Sequence, residues 1–292
     1  MKKTITGIVL VALVILLIWL NTYSHFAIDA LAFFGFSVGL YEMHKVLKIM
    51  GYRPIALMLI TVGVLTYPAQ LFFGAGGMVG VMLVAFMVGG VFYVLKKEYT
   101  FKDFTASCVA ILYPGAFLAV ILKLNLIGGG FAGNGFAILF VLMSALATDT
   151  FAFFIGMLWT RIKKGKVKKL LYRVSPSKSV VGAVSGVIFC MLFLTLYWYL
   201  IDYNGGLIHL GFRMNSIVKG ATGTLALAAY LGIGFVASVI SIFGDLFESR
   251  IKRECGVKDL GNLIPGHGGI LDRIDSIMFT GAVVYIAAVL FG

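Results

Sequence analysis

The stretch GFAILFVLMSALATDTFAFFIGMLW, residues 135–159, carries a single charged side chain, that of Asp149. An α-helix rises about 1.5 Å per residue, so about 20 apolar residues cross the ~30 Å hydrocarbon core of a bilayer. The stretch is long enough and apolar enough to predict a transmembrane helix. An acid inside such a helix costs about 2.5–3.5 kcal/mol to insert, which makes Asp149 a candidate functional residue.

The rest of the chain has the same apolar character. Of its 292 residues, 61% are hydrophobic and 12% are charged, whereas soluble domains have about a quarter of their residues charged. Because a water-soluble core of this size cannot hide such an excess, we expect an all-α, polytopic membrane helix bundle with about nine transmembrane helices. The predicted spans are residues 5–20, 26–41, 54–73, 76–95, 104–122, 135–158, 180–201, 221–244 and 274–292.

Positive charge is divided very unevenly between the predicted loops. If the N-terminus lies inside, 21 of the 24 Lys and Arg residues fall in inside segments, and the outside loops hold only Lys123, Arg213 and Lys219. Cytoplasmic loops carry the excess of Lys and Arg, so the pattern predicts a cytoplasmic N-terminus. The net charge of +12 then suits an anionic inner leaflet, and we expect the lipid bilayer rather than nucleic acid as the partner.

The chain is expected to divide by function. Residues 1–130 show hydropathy without motifs and are predicted to be scaffold helices, with homodimer contacts left open. Residues 131–292 are predicted to be catalytic, with their chemistry near the cytoplasmic loops 159–179 and 245–273. The first span has no small-x-small cleavage site after Leu20, so it is predicted to be a retained anchor rather than a signal peptide.

Several acids lie toward the predicted cytoplasmic side. Asp245 closes one span, and Asp272 and Asp275 open the last one. Asp149 lies ~21 Å along its helix from Gly135, in the cytoplasmic third of the bilayer. This position favours a polar cavity that opens to the cytoplasm over a structural hydrogen bond to a neighbouring helix. Carboxylates that converge beside basic loops predict a site for a divalent cation and phosphate, since hard oxygen ligands suit Mg²⁺.

The polar stretch SIFGDLFESRIKRECGVKDLGNLIPGHGGILDRIDS, residues 241–276, holds the densest pattern. It begins on a predicted helix. The spacing i, i+3, i+4 and i+7 places four polar residues on one face of this helix: Asp245, Glu248, Ser249 and Lys252. The Pro-Gly and Gly-Gly pairs on either side of His267 predict a flexible turn. Glycines in such a turn let the backbone approach a phosphate closely.

This stretch resembles the signature of phosphatidate cytidylyltransferases, also called CDP-diacylglycerol synthases. The positions that match the signature are Ser241, Lys252, Arg253, Lys258, Asp259, Pro265, His267, Gly268, Gly269, Asp272, Arg273 and Asp275. Two more blocks are similar to the family: the segment around Thr148 and Asp149, and SPSKSVVG at 175–182. The latter differs from the family's SPKKTxEG at Ser177, Ser179 and Val181.

The resemblance implies a Mg²⁺-dependent nucleotidyltransferase that makes CDP-diacylglycerol and pyrophosphate from CTP and phosphatidic acid. It implies an integral protein of the cell membrane whose active site faces the cytoplasm, and a second cation is left open. The implied metal ligands are Asp245, Asp272 and Asp149. The implied catalytic residues are Asp245, Asp272, Lys252, Lys258 and Asp259. The implied substrate-binding residues are Ser175, Lys178, Ser249, Arg253, His267, Gly268, Gly269 and Arg273.

Two other functions remain open at this point. A CTP-dependent lipid kinase of the polyprenol or phytol type also joins a membrane bundle to nucleotide chemistry, and related enzymes share part of the loop pattern. A cation-coupled transporter would explain buried acids, but it predicts inverted repeats or broken helices in matching halves, and the sequence has no obvious internal repeat.

Overall fold

The computed structural model describes residues 16, 19–20, 26–125, 136–203, 214, 217–261, 263 and 268–292. Helices dominate this part of the chain, because in lipid a helix satisfies its own backbone N–H and C=O groups. In chain order they are α1 Phe26–Ile49, α2 Ala56–Leu95, α3 Phe101–Leu124, α4 Phe136–Ile162, α5 Val180–Tyr197, α6 Gly223–Glu254 and α7 Leu271–Phe291. A π-helical turn, Trp198–Asp202, extends α5.

α2 contains two candidate membrane spans, Ala56–Gly74 and Gly76–Leu95, which correspond to the predicted spans 54–73 and 76–95. The backbone leaves helical geometry at Gly74, where φ is 61° and ψ is −146°, a conformation that residues with a Cβ rarely adopt. With both halves counted, the described residues contain eight helices long and apolar enough to cross a membrane. The all-α integral membrane bundle is thus confirmed, while the predicted span 5–20 lies almost wholly outside the described residues.

The described chain forms two compact units. Unit one contains Asp29–Ala119 together with Lys252–Arg273, and unit two contains Val120–Ile251 together with Ile274–Gly292. Residues 252–273 of the stretch that carries the family pattern therefore belong to the same unit as the N-terminal helices. The division at residue 130 into scaffold and catalytic parts stays a prediction about function.

A short hairpin connects α4 and α5 in unit two. Strand β1, Lys169–Leu171, pairs antiparallel with β2, Ser175–Ser179. The Ser179 hydroxyl then accepts a hydrogen bond of 3.0 Å from the Gly182 backbone N–H and caps the N-terminus of α5. The segment predicted as a basic loop thus places Lys178 on a strand directly before this cap.

Glycines allow α4 and α5 to approach each other closely. A Cβ added at Gly182 would lie 2.6 Å from the carbonyl oxygen of Ala152, and one added at Gly186 would lie 2.6 Å from that of Thr148. Small residues at helix contacts let backbones pack tightly in membranes. Gly182, a position that matches the family block, therefore has a packing role.

In unit one, Asp103 joins the turn after α1 to the start of α3. Its carboxylate accepts hydrogen bonds from the backbone N–H of Arg53 at 2.6 Å and of Thr100 at 2.8 Å, and from the Thr100 hydroxyl at 2.7 Å. Asp103 is buried, and its structural role explains this: it accepts hydrogen bonds from N–H groups that would otherwise have no partner near the start of a helix.

We expect Gly182→Ala to lower the free energy of unfolding by about 1–3 kcal/mol, because the new methyl group meets a backbone oxygen that cannot move aside easily. The measurement is thermal unfolding of the purified protein in detergent. Gly232→Ala on α6 is the control, since its added Cβ has no atom within 4 Å. Equal losses in the two variants would contradict the packing role.

Candidate functional site

The first polar group lies in unit two and is called here the acidic cluster: Asp149, Lys178, Asp245, Asp275 and Ser276. The Ser276 hydroxyl lies 2.8 Å from Oδ2 of Asp149 and 3.1 Å from Oδ1 of Asp275. The hydroxyl has one proton, so it can donate to only one of these carboxylates at a time. The contact between the Ser276 hydroxyl and Asp149 is the interhelical hydrogen bond considered above, and it joins α7 to α4.

Lys178 and Asp245 form an ion pair that brings strand β2 to α6. The Ser249 hydroxyl, one helical turn further along α6, donates to Oδ1 of Asp245 at 3.2 Å. Asp149 is close enough to interact electrostatically with Asp245, Asp275 and Lys178. Three carboxylates thus share one neighbourhood with one lysine. Carboxylate oxygens are the hard ligands that Mg²⁺ prefers in proteins.

The second polar group lies in unit one and is called here the Asp272 cradle: Lys252, Leu260, Gly269 and Asp272. The Asp272 side chain is 2% exposed, and its Oδ1 accepts from Nζ of Lys252 at 2.8 Å. Its Oδ2 accepts from the backbone N–H of Gly269 at 2.7 Å and of Leu260 at 3.1 Å. The lysine and the two amides hold this buried carboxylate in a fixed position.

The polar residues around the cradle face solution. Arg253, Lys258, Asp259 and Arg273 are all exposed in unit one. Gly268 has φ of 84°, and a Cβ there would meet Oδ2 of Asp272 at 2.7 Å, so both conformation and space require glycine. His267 lies outside the described residues.

The residues predicted from the hairpin differ in exposure. Ser175 is buried, and its hydroxyl lies 3.4 Å from that of Ser177. Lys178 is engaged with Asp245. Asp245 belongs to unit two and Asp272 to unit one, so their joint coordination of one ion stays a prediction.

The donor set of the acidic cluster is chemically suited to Mg²⁺. Among the described residues, no three His, Cys, Asp or Glu side chains are arranged as a metal-binding group. Mg²⁺ in nucleotide sites commonly takes one or two carboxylates and completes its shell with phosphates and waters. Asp149 and Asp245, which lie in one electrostatic neighbourhood, meet that requirement.

Sequence reasoning missed one partner of the predicted acids, Ser276, and one further acid, Glu42. Ser276 directly follows Asp275, the last residue of the motif, and this position was the available signal. Glu42 was placed just beyond the second predicted span, but α1 continues to Ile49 and makes it a buried acid of a membrane helix. An acid at such a position is the same signal that singled out Asp149.

Comparison with known proteins gives a consistent family. The sequence model of the cytidylyltransferase family matches residues 1–291. The chain is 31% identical to the phosphatidate cytidylyltransferase of Thermotoga maritima, over 70% of this chain and 67% of that protein. It is 32% identical to that of Staphylococcus saprophyticus, over 63% of this chain and 58% of the relative. The match to that of Haemophilus influenzae is 37% identical, over 49% of this chain and 42% of the relative. The last two alignments cover less than two thirds of those relatives' own length.

We expect Ser276→Ala to lower the free energy of unfolding by about 1–2 kcal/mol, because the buried hydroxyl links two helices through a charged acceptor. Thermal unfolding in detergent measures this loss. Ser249→Ala serves as the control and should cost less, since its longer hydrogen bond lies within one helix at a half-buried carboxylate. If Ser276→Ala left the free energy of unfolding unchanged, the hydrogen bond between Ser276 and Asp149 would not be stabilising the helix pair.

Proposed function

This chain belongs to the cytidylyltransferase family, and from that premise we propose that it transfers the cytidylyl group of CTP to phosphatidic acid. An oxygen of the phosphatidate phosphate attacks the α-phosphorus of CTP. The bond between the α-phosphorus and the oxygen bridging to the β-phosphorus breaks, and pyrophosphate leaves. The products are CDP-diacylglycerol, which stays in the membrane, and pyrophosphate. The attacking oxygen is already anionic, so no strong general base is needed, and catalysis consists of positioning and charge neutralisation.

The observation that carries this proposal is the pairing of a carboxylate with a lysine in each unit: Asp245 with Lys178, and Asp272 with Lys252. Two anionic substrates must approach each other, so the site needs cationic groups that are held in place before they arrive. Each lysine here is oriented by a carboxylate. The lysines can turn to phosphate oxygens when substrate binds, and the carboxylates are then available to a metal ion.

Mg²⁺ is the proposed cofactor, with Asp149, Asp245 and Asp272 as the residues that would hold it, and a second cation is left open. The chemistry that a bound Mg²⁺ would supply is neutralisation of the negative charge that develops on the pyrophosphate. The chain's own contribution is to fix the carboxylate oxygens. Ser276 orients Asp149 and Ser249 orients Asp245, while two backbone amides orient Asp272.

Substrate binding is assigned to the residues around these carboxylates. Arg253, Lys258 and Arg273 are exposed cations beside the Asp272 cradle and would bind the triphosphate or the phosphatidate head group. Gly268 and Gly269 stay proposed as part of the phosphate-binding turn, with the space beside their Cα atoms taken by the carboxylates of Asp272 and Glu42. Asp259 and His267 would orient the turn or contact the nucleotide. On the hairpin, the same role is proposed for Ser175 and Lys178, and Ser249 would keep Asp245 aligned.

The proposed orientation follows from the loop charges. The hairpin and the 252–273 segment belong to the loops rich in Lys and Arg, which are expected on the cytoplasmic side of the cell membrane. CTP is a water-soluble substrate of the cytoplasm, and phosphatidic acid is supplied by the bilayer itself. A homodimer through the N-terminal helices stays a prediction.

We expect Asp245→Asn and Asp272→Asn each to abolish turnover while the protein remains inserted and folded, because each change removes a negative charge from the proposed metal site. The assay is pyrophosphate release by purified protein with CTP, phosphatidic acid and Mg²⁺. Glu98→Gln, at an exposed surface ion pair, is the control and should keep full turnover. Activity retained by either Asp variant at ordinary Mg²⁺ would remove that residue from the metal site.

Labelled CTP separates the proposed transfer from lipid kinase chemistry. With CTP labelled at the α-phosphate, label should enter the lipid fraction in step with pyrophosphate release, because the cytidylyl group carries the α-phosphorus. With CTP labelled at the γ-phosphate, the lipid should stay unlabelled. Lipid labelled only from the γ-position would establish a kinase instead.

A further inference from the structure

Glu42 is an acid of α1 whose side chain is directed at the start of α7. The residue is 3% exposed. Its Oε1 accepts a hydrogen bond of 3.0 Å from the backbone N–H of Ile270, and its Oε2 accepts one of 3.0 Å from that of Leu271. Leu271 is the first residue of α7. The first N–H groups of a helix have no partner within the helix, and a carboxylate there both satisfies them and interacts favourably with the helix dipole.

Two glycines make room for this carboxylate. A Cβ added at Gly261 or at Gly269 would overlap the carboxyl group of Glu42. Neither glycine has φ in the left-handed region, so backbone conformation does not require them to be glycine. Their lack of a side chain is explained by the close approach of Glu42. The motif-bearing segment is thus shaped to fit an acid that lies more than 200 residues earlier in the chain.

The same segment also forms the Asp272 cradle. The backbone N–H of Leu260 donates to Asp272, while the next residue, Gly261, packs on Glu42. Gly269 repeats the arrangement: its N–H donates to Asp272 and its Cα faces Glu42. The two carboxylates hold the turn from both sides.

This arrangement has an electrostatic cost. Glu42 and Asp272 are close enough for their charges to interact unfavourably. Four backbone N–H groups and the ammonium group of Lys252 offset this repulsion. The Glu42 carboxylate is therefore held at the turn by its amide donors although Asp272 lies nearby.

We infer that Glu42 is a positioning residue for the active site: it fixes residues 268–271 and thereby sets the direction in which α7 presents Asp272 and Arg273. Both of its oxygens are engaged by backbone amides, so it acts through the turn rather than on the substrate. The inference rests on the proposed cytidylyl transfer for its functional part. Its structural part, the clamping of the turn, can be measured without any substrate.

The first test is amide hydrogen exchange on the full chain in detergent, combined with steady-state kinetics. In Glu42→Ala we expect exchange in the segment 268–273 to rise about tenfold or more, since two hydrogen bonds to a charged acceptor are lost. The kcat with CTP should fall at least about tenfold while the KM for phosphatidic acid changes little, because a displaced carboxylate lowers turnover more than binding. Glu42→Gln keeps one acceptor oxygen and should give intermediate exchange and turnover.

Tyr41→Ala is the matched control, since Tyr41 neighbours Glu42 on α1 but is 67% exposed; it should leave exchange in 268–273 and kcat unchanged. Unchanged exchange in both Glu42 variants would overturn the inference. A loss of turnover with unchanged exchange would also overturn it, because Glu42 would then act on substrate or metal directly. Faster exchange in a chain that never makes CDP-diacylglycerol would support the clamp and reject the proposed function.

A double-mutant cycle tests the same contact by stability alone, without any substrate, and Glu42→Gln carries the exchange test if Glu42→Ala is poorly folded. Gly261→Ala should be destabilising in the natural chain, because the added methyl group overlaps the Glu42 carboxyl. In the Glu42→Ala background that overlap is gone, so the further drop in unfolding temperature should be at most about half as large. Gly232→Ala, which meets no atom within 4 Å, should have the same effect in both backgrounds. Equal drops for Gly261→Ala in the two backgrounds would contradict the contact.

Discussion

The structure depends on one constraint: a carboxylate taken out of water must be given hydrogen-bond donors or cations. The described acids meet it in different ways. Asp103 takes backbone amides and a hydroxyl at a helix start, Asp149 takes a serine hydroxyl from another helix, and Asp272 takes a lysine and two amides. In lipid the alternative to such partners is a free-energy cost large enough to exclude the acid, so the position of each carboxylate determines which elements must meet.

Much of the fold could be predicted because hydropathy reports directly on the solvent. The runs that became α1 to α7 are continuous and apolar. Their bounds differ most where polar helix ends extend beyond the bilayer-spanning part: α6 ends at Glu254, ten residues past its predicted end. The hairpin could not be predicted in this way. Its strands are three and five residues long, too short for a periodic signal, and the many lysines around them resemble an ordinary cytoplasmic loop.

The candidate site was predictable in its residue types and less so in its pairings. The family pattern singled out Asp149, Asp245 and Asp272. It could not give Lys178 as the partner of Asp245 or Ser276 as that of Asp149, because these contacts join elements distant in sequence. The departure of Ser179 from the family block is understandable from the fold, since serine and threonine are both effective helix caps. Glu42 was missed because the predicted span ended one residue before it, whereas its helix continues for seven residues beyond it.

The distance along the chain between Glu42 and its amides also sets an order of assembly. Ile270 follows Glu42 by 228 residues. At synthesis rates of about 5–20 residues per second, the acid leaves the ribosome about 10–50 s before its hydrogen-bond donors exist. During this interval the carboxylate has to stay hydrated, protonated or temporarily paired elsewhere. Unit one can therefore close only after Leu271 has been synthesised, and until then the nascent N-terminal helices must wait in the membrane in an incomplete state.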